Sequence, residues 1–245
     1  MRAILTYHSI DTSGSVISIA PAVFAAHARW LSSGLVRVLS LPDLLAERDD
    51  EGGPDAVALT FDDGFANCDE PATRLAEEGL PATVFVVSDH VGGSNAWGGR
   101  DEPGLPTLPL LDWSGLERLA ARGVALGVHT RTHPRLTTLS TPMVEDEMDQ
   151  CADALTKRIG VRASFLAYPF GAVDARVAAI AGRKFAGAVT TRLAPLSRQD
   201  SLAMIPRLDI YYFRRSGALE RWGTPAFERR LLMLQTGRRV REALR

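Results

Sequence analysis

The sequence predicts an α/β fold, a barrel of parallel strands wrapped by helices, on three observations. Short apolar runs rich in β-branched residues alternate with stretches of helical period, the pattern of repeated βα units. The 245 residues are 46% apolar and 23% charged, a globular composition with enough chain for one sizeable core. No repeat with a period of roughly 20 to 50 residues recurs, which argues against a solenoid.

The first strand is expected at 3–7, where Ala3-Ile4-Leu5-Thr6-Tyr7 opens the pattern, and the first helix at 21–33, beginning with Pro21. A strand at 36–39 and a helix at 41–48 follow. Val57-Ala58-Leu59-Thr60-Phe61 marks a buried strand at 56–61, with a helix next at 67–78. Beyond a strand at 83–87, residues 88–111 are rich in Gly, Pro and Asn and lack periodicity. So long a segment is either disordered or functional, and the favoured expectation is a loop shaping a cleft, with Trp97 and Asp101 on it. A helix at 114–122 and a strand at 125–128 precede a long helix at 142–159, with Thr141 as its cap, Pro142 at its first position and Gly160 closing it. A strand at 164–167, a helix at 174–183 and strands at 187–190 and 204–208 complete the set. The expected division is a barrel over 1–213 and a basic helical tail over 214–245 packed on it.

The formal net charge of −1 argues against a nucleic-acid partner, since such proteins carry a clear basic excess or stripe. Cys68 and Cys151 are the two cysteines; neither lies in a CxxC pair, and both read as buried thiols. No apolar run approaches the roughly 18 residues of a membrane span, and the opening residues read as a strand rather than a leader, which sets a cytoplasmic expectation.

Two polar clusters sit at expected strand ends. The strand at 56–61 runs into Asp62-Asp63-Gly64, and the C-terminal end of a parallel strand is where α/β active sites form. Taken alone, Asp before Gly reads equally as a cap and turn. The strand at 125–128 runs into His129-Thr130-Arg131-Thr132-His133, which puts two of the five histidines four residues apart, able to face one point. One carboxylate and two imidazoles make three protein ligands with room for water, the composition of a catalytic divalent-metal site. Zinc is the first expectation, with cobalt and nickel as alternatives. Adjacent residues leaving a strand point in different directions, so one Asp can ligate while its neighbour faces water; spacing does not say which.

Thr60-Phe61-Asp62-Asp63-Gly64 and His129-Thr130-Arg131-Thr132-His133 together resemble the TFDDG and H-[ST]-x-x-H motifs of the polysaccharide deacetylase family, the nodulation-protein-like carbohydrate esterases. The resemblance implies a distorted (β/α) barrel of about seven parallel strands and hydrolysis of N-acetyl groups on a carbohydrate substrate. It implies Asp62 as general base and Asp63, His129 and His133 as metal ligands. Phe165-Leu166-Ala167-Tyr168-Pro169-Phe170-Gly171 looks like the family's third motif, with Tyr168, Pro169, Phe170 and Gly171 lining the substrate cleft and the Phe170 N–H stabilising an oxyanion.

This chain departs from the family pattern twice. Ala167 stands where the third motif usually carries an arginine that steadies the base, and Arg207, in Ile205-Pro206-Arg207-Leu208-Asp209, is the candidate substitute; otherwise it reads as a surface ion pair. No histidine follows His133, so the family's C-terminal acid is missing. Tyr7-His8-Ser9 resembles the branch acting on β-1,6-linked N-acetylglucosamine polymers, where an N-terminal Tyr-His supplies the acid, and this assigns His8. Without that context a strand-end histidine reads more readily as a core residue; His27 and His90 are weaker candidates.

Trp97 is the candidate aromatic face for a sugar ring, while Trp113 reads as a helix anchor and Trp30 and Trp222 as packing. In the arginine-rich tail, Phe227, Leu231 and Leu234 fall at helical spacing. A helix packed on the barrel is preferred to a peripheral membrane contact. The competing functions are a non-catalytic carbohydrate-binding protein, hydrolysis of a non-sugar amide, and a two-histidine, one-carboxylate iron oxygenase that leaves Asp62 unexplained.

Overall fold

A computed structural model describes residues 1–245 except Glu51, Asp101, Glu102, Ser216, Leu244 and Arg245, and describes side chains up to residue 238. The strands are β1 (Arg2–Tyr7), β2 (Ser9–Ile10), β3 (Ser18–Ile19), β4 (Arg37–Val38), β5 (Ala56–Phe61), β6 (Ala82–Val86), β7 (Ala125–Val128), β8 (Phe165–Ala167), β9 (Gly187–Leu193) and β10 (Ile205–Asp209). The helices are α1 (Pro21–Leu31), α2 (Leu41–Ala46), α3 (Asp69–Glu77), α4 (Trp113–Ala121), α5 (Thr141–Ile159), α6 (Ala175–Lys184) and α7 (Pro225–Ala243).

Seven strands close an all-parallel barrel in the order β1-β5-β6-β7-β8-β9-β10, with β10 returning to β1. The expected strand at 36–39 is not a stave. β1 occupies one edge of β5 along all six residues; β4 takes the start of the other edge, at Ala56 and Val57, and β6 its end, from Leu59 to Phe61. The distortion lies between β9 and β10, where the register slips between Ile205↔Val189 and Arg207↔Leu193.

Strand alternation sorts the core into two layers. Ile4, Ala56, Ala58, Phe85, Phe165, Ala167, Val189 and Ile205 fill the barrel interior, joined by Leu41, Leu44 and Leu45 of α2. Their strand neighbours, among them Leu5, Leu59, Val84, Leu126, Leu166 and Leu208, belong to the larger layer that packs with helix residues. Small residues make room for large ones: a Cβ on Gly127 would fall 2.5 Å from the Phe85 ring, so glycine there lets that ring cross the barrel.

α5 begins one residue before expectation. Ser140, not Thr141, is its N-cap and makes no side-chain cap bond, while Gly160 ends it at φ 76° as the expected left-handed closure. The short parallel pair β2–β3 has two residues per strand, too few for a periodicity signal. In the tail, Phe227 and Leu231 of α7 are buried, Phe227 stacks on Phe213 at 5.3 Å, and Trp222 lies between Phe227 and Trp30. No helix among the described residues is long and apolar enough to cross a membrane.

Candidate active site

The alternation that fills the barrel also builds the site. Continuing the inward positions gives His8 after Ile4 and Thr6, Asp62 after Ala58 and Thr60 and His129 after Gly127, each just past its strand, and Arg207 and Asp209 within β10 after Ile205. These side chains gather at the C-terminal end of the barrel, above its apolar layer.

Four non-glycine residues among those described have positive φ: Asp63 (72°), Thr130 (69°), His133 (61°) and Phe170 (58°). All four lie in the loops carrying the expected motifs, and each such conformation costs of order 1–3 kcal/mol unless its surroundings impose it. At Asp63 this turn swings the second carboxylate away from the strand line and toward the histidines. Its Oδ1 lies 3.1 Å from His129 Nε2 and 3.4 Å from His133 Nε2.

Asp63, His129 and His133 are all buried, and their candidate ligand atoms lie within 4.8 Å of one another. His129 Nδ1 lies 2.8 Å from the Ala167 carbonyl oxygen, which can only accept, so Nδ1 carries the proton and Nε2 offers a lone pair to the shared point. Asp63 Oδ1 is buried without a hydrogen-bond partner. A buried carboxylate oxygen facing two imidazoles within ligand distance of one another is a group that could hold a cation. The donor set therefore fits a divalent metal.

Asp62 is held differently. Arg207 Nη1 and Nη2 donate to its two oxygens at 2.7 and 2.6 Å, while Nε donates to Thr190 O at 2.9 Å and Nη1 also to Thr60 Oγ1 at 3.2 Å. Burial acts to raise the Asp62 pKa, but the Arg207 charge and hydrogen bonds, helped by His129 and His8, hold it below the usual carboxylate range. Arg207 is 2% exposed and backs Asp62, as the reading of it as the substitute arginine expected, so it is not a surface ion pair, and its guanidinium is turned to Asp62 rather than offered to a substrate. The guanidinium enters from β10 beside the register slip, so the role does not require an arginine at Ala167.

His8 Nε2 lies 3.8 Å from Asp62 Oδ2, on a side chain 22% exposed. Asp209, which the sequence reading left unassigned, is the second carboxylate whose charge acts on His8. Burial raises its pKa, opposed by His8 and by its hydrogen bond from Tyr211 N. His27 is a core residue bonded to Tyr7 Oη at 3.3 Å, and burial pulls its pKa down to about 4. His90 Nδ1 bonds the Ser94 carbonyl oxygen at 3.1 Å, so it is tied into the loop rather than directed at the site.

Sequence reasoning missed Glu147. It occupies the apolar stripe of α5 with Val144, Met148, Cys151 and Leu155, and is itself buried. Its carboxylate accepts from Arg131 N at 2.9 Å, Thr132 N at 2.8 Å and Thr132 Oγ1 at 2.7 Å, pinning the turn between the two histidines. A carboxylate within an otherwise apolar helical stripe was the available signal.

The third-motif residues divide by parity. Ala167 faces inward, so Tyr168 faces outward into the helix-packing layer, fully buried with its hydroxyl donating to Ala203 O at 2.8 Å. This corrects the expectation that Tyr168 lines the cleft, and Pro169 is buried beside it. Phe170 and Gly171 do reach the open side, and the Phe170 ring packs edge-on to His133 at 4.6 Å.

Trp97 stacks on His133 at 4.2 Å and meets His90 edge-on at 4.9 Å, so one of its faces is already covered. Described parts of its loop are tied down: Leu111 N bonds Gly64 O, Phe65 bridges Leu110, and Asn95 clamps Leu108 N and Pro106 O. Asp101 lies outside the described residues. Cys68 and Cys151 are both buried free thiols, as expected.

The family model described as polysaccharide deacetylase matches residues 49–185. The chain is 32% identical over 124 residues to a chitin deacetylase of Pestalotiopsis sp, covering 50% of this chain and 36% of that protein. It is 34% identical over 110 residues to a chitooligosaccharide deacetylase of Rhizobium leguminosarum bv. trifolii, covering 43% of each. It thus spans less than half the length of these curated relatives. The solved Streptococcus pyogenes deacetylase PplD, in complex with acetate, superposes with TM-score 0.71 at 22% identity, over 85% of this chain and 91% of that one. IcaB from Ammonifex degensii superposes with TM-score 0.68 at 22% identity, over 84% and 90%. At such identities these two superpositions speak for the barrel fold alone.

Proposed function

The chain belongs to the polysaccharide deacetylase family, and from that premise we propose that it is a metal-dependent hydrolase removing N-acetyl groups from an amino-sugar substrate. The observation that carries the reading is the convergence of Asp63, His129 and His133 beside an Asp62 locked to Arg207. Asp63, His129 and His133 are the residues that hold the metal, with zinc favoured by the donor set and cobalt or nickel compatible with it. Bound there, a divalent cation supplies positive charge that acidifies water and polarises an amide carbonyl.

The chain's own groups do the rest. Asp62, kept ionised by Arg207, accepts a proton from the attacking water while its oxygen bonds to the acetyl carbon. The Phe170 N–H donates to the carbonyl oxygen as it gains negative charge. His8, on the open side of Asp62, protonates the amine nitrogen as the C–N bond breaks, leaving acetate and the free amino sugar.

The test is acetate release from N-acetylglucosamine-containing substrates of increasing length, assayed with zinc, cobalt and nickel added separately. The reading expects acetate from at least one length and its loss on chelation. Absence of acetate from every substrate with every metal would overturn it.

A further inference from the structure

A cavity of about 660 Å³ opens directly beside Phe170, and its polar lining comes from segments far apart in sequence. Arg135 comes from the loop after β7, Thr190, Thr191 and Arg192 from β9, and Gln235 and Arg238 from α7. That volume lies within the range that holds a small ligand. Three arginines line it, and among the described residues no carboxylate does. Arg192 pairs with Asp200 outside the lining, and Arg238 Nη2 donates to Thr191 Oγ1 at 3.1 Å, which aims that guanidinium across the cavity wall. Arg135 lies over the Phe170 ring at 4.4 Å, and no carboxylate among the described residues comes within 4.0 Å of it.

Guanidinium groups bordering one concavity favour an anion there, Arg192 sharing its charge with Asp200. The lining also carries hydroxyl and amide groups, and guanidinium forks match the planar or tetrahedral oxygens of an oxyanion. The cavity is one ring removed from the metal ligands, because Phe170 packs against Arg135 on one side and His133 on the other.

We propose that this cavity receives an oxyanion, phosphate or carboxylate, carried by the saccharide whose acetyl group is cleaved, so that the substrate is an anionic glycan or glycoside rather than a neutral one. The proposal rests on the deacetylase reading for the identity of the saccharide. It also accounts for the arginine-rich tail, because α7 supplies Gln235 and Arg238, one helical turn apart, to the substrate wall.

The experiment is titration calorimetry of the intact protein with glucosamine 6-phosphate, a glucuronate-containing disaccharide and the neutral N-acetylglucosamine disaccharide, repeated on Arg135→Gln and Arg238→Gln. Acetate release is measured in parallel from phosphate-bearing, uronate-bearing and neutral N-acetylated forms. At least one anionic ligand is expected to bind about tenfold or more tightly than the neutral one, and each variant to lose that advantage by about tenfold while its affinity for the neutral ligand changes far less. The arm that responds separates phosphate from carboxylate. Equal binding of charged and neutral ligands, or variants that weaken both alike, would overturn the proposal. Charge-dependent binding without acetate from any substrate would leave the pocket standing and overturn the deacetylase reading instead. If a glutamine variant melts well below the parent, competition of each anionic ligand against neutral turnover in the parent replaces it: competitive inhibition is expected, and its absence counts against the pocket.

Discussion

Replacing Arg207 with Gln removes the only guanidinium facing Asp62 among the described residues while keeping much of the side-chain volume. Arg207 and Asp62 side chains are 2% and 3% exposed, and two charge-assisted hydrogen bonds of 2.7 and 2.6 Å join them. Removing one partner of such a buried pair leaves the other charge uncompensated, which costs about 3–5 kcal/mol. The pH consequence follows from the same forces. Burial alone pushes the Asp62 pKa up and Arg207 is the largest force bringing it down, so the variant's Asp62 titrates at higher pH. In the parent, a folded pKa below the unfolded one gives stability that is present above the unfolded carboxylate value, about 3.9, and is lost as pH falls through the lowered folded value. The variant lacks that contribution, and the acid limb of its rate profile moves upward. Urea denaturation near neutral pH of the parent, Arg207→Gln, Asp62→Asn and the double variant measures the coupling, and turnover against pH measures the shift. A loss below about 1 kcal/mol for Arg207→Gln, additive effects in the double variant and an unmoved acid limb would together refute the reasoning.

Glu147→Gln removes the charge that anchors the 131–132 backbone; metal affinity is expected to fall about 10–100-fold, read by competition with a chromophoric chelator, with about 1–3 kcal/mol lost in denaturation. His8→Asn should lower turnover by about 10²–10⁴-fold with metal content unchanged by elemental analysis; a variant stripped of metal would make His8 a ligand instead. His27, with its pKa pulled down to about 4 by burial, binds its proton more readily in the unfolded chain. Its contribution is therefore complete above pH about 6.5 and falls by about 3 kcal/mol as pH drops toward 4. His27→Gln should flatten the stability profile across that window, and a parallel profile would count against the assignment.

The βα rhythm and the two dense motifs were readable from residue order because each is local. A run such as 56–61 announces a buried strand, and Asp62-Asp63 with His129 and His133 concentrate ligand chemistry in short windows. Strand parity, which the sequence reading did not count, turns His8, Asp62, His129 and Arg207 inward and Tyr168 outward. Glu147 went unnoticed because its partners are backbone amides about 15 residues away, which leave no mark on composition.

What the sequence alone determined is the class of the barrel and the residue types of its Asp–His–His cluster, since hydrophobic period and ligand type are properties of neighbouring residues. Tertiary structure decided which arginine supports Asp62, because the partners are 145 residues apart and meet only when β10 closes against β1 beside β5. It likewise decided that Arg135, Arg192 and Arg238 share one cavity. Such meetings follow from barrel closure and register, and a linear pattern does not encode them.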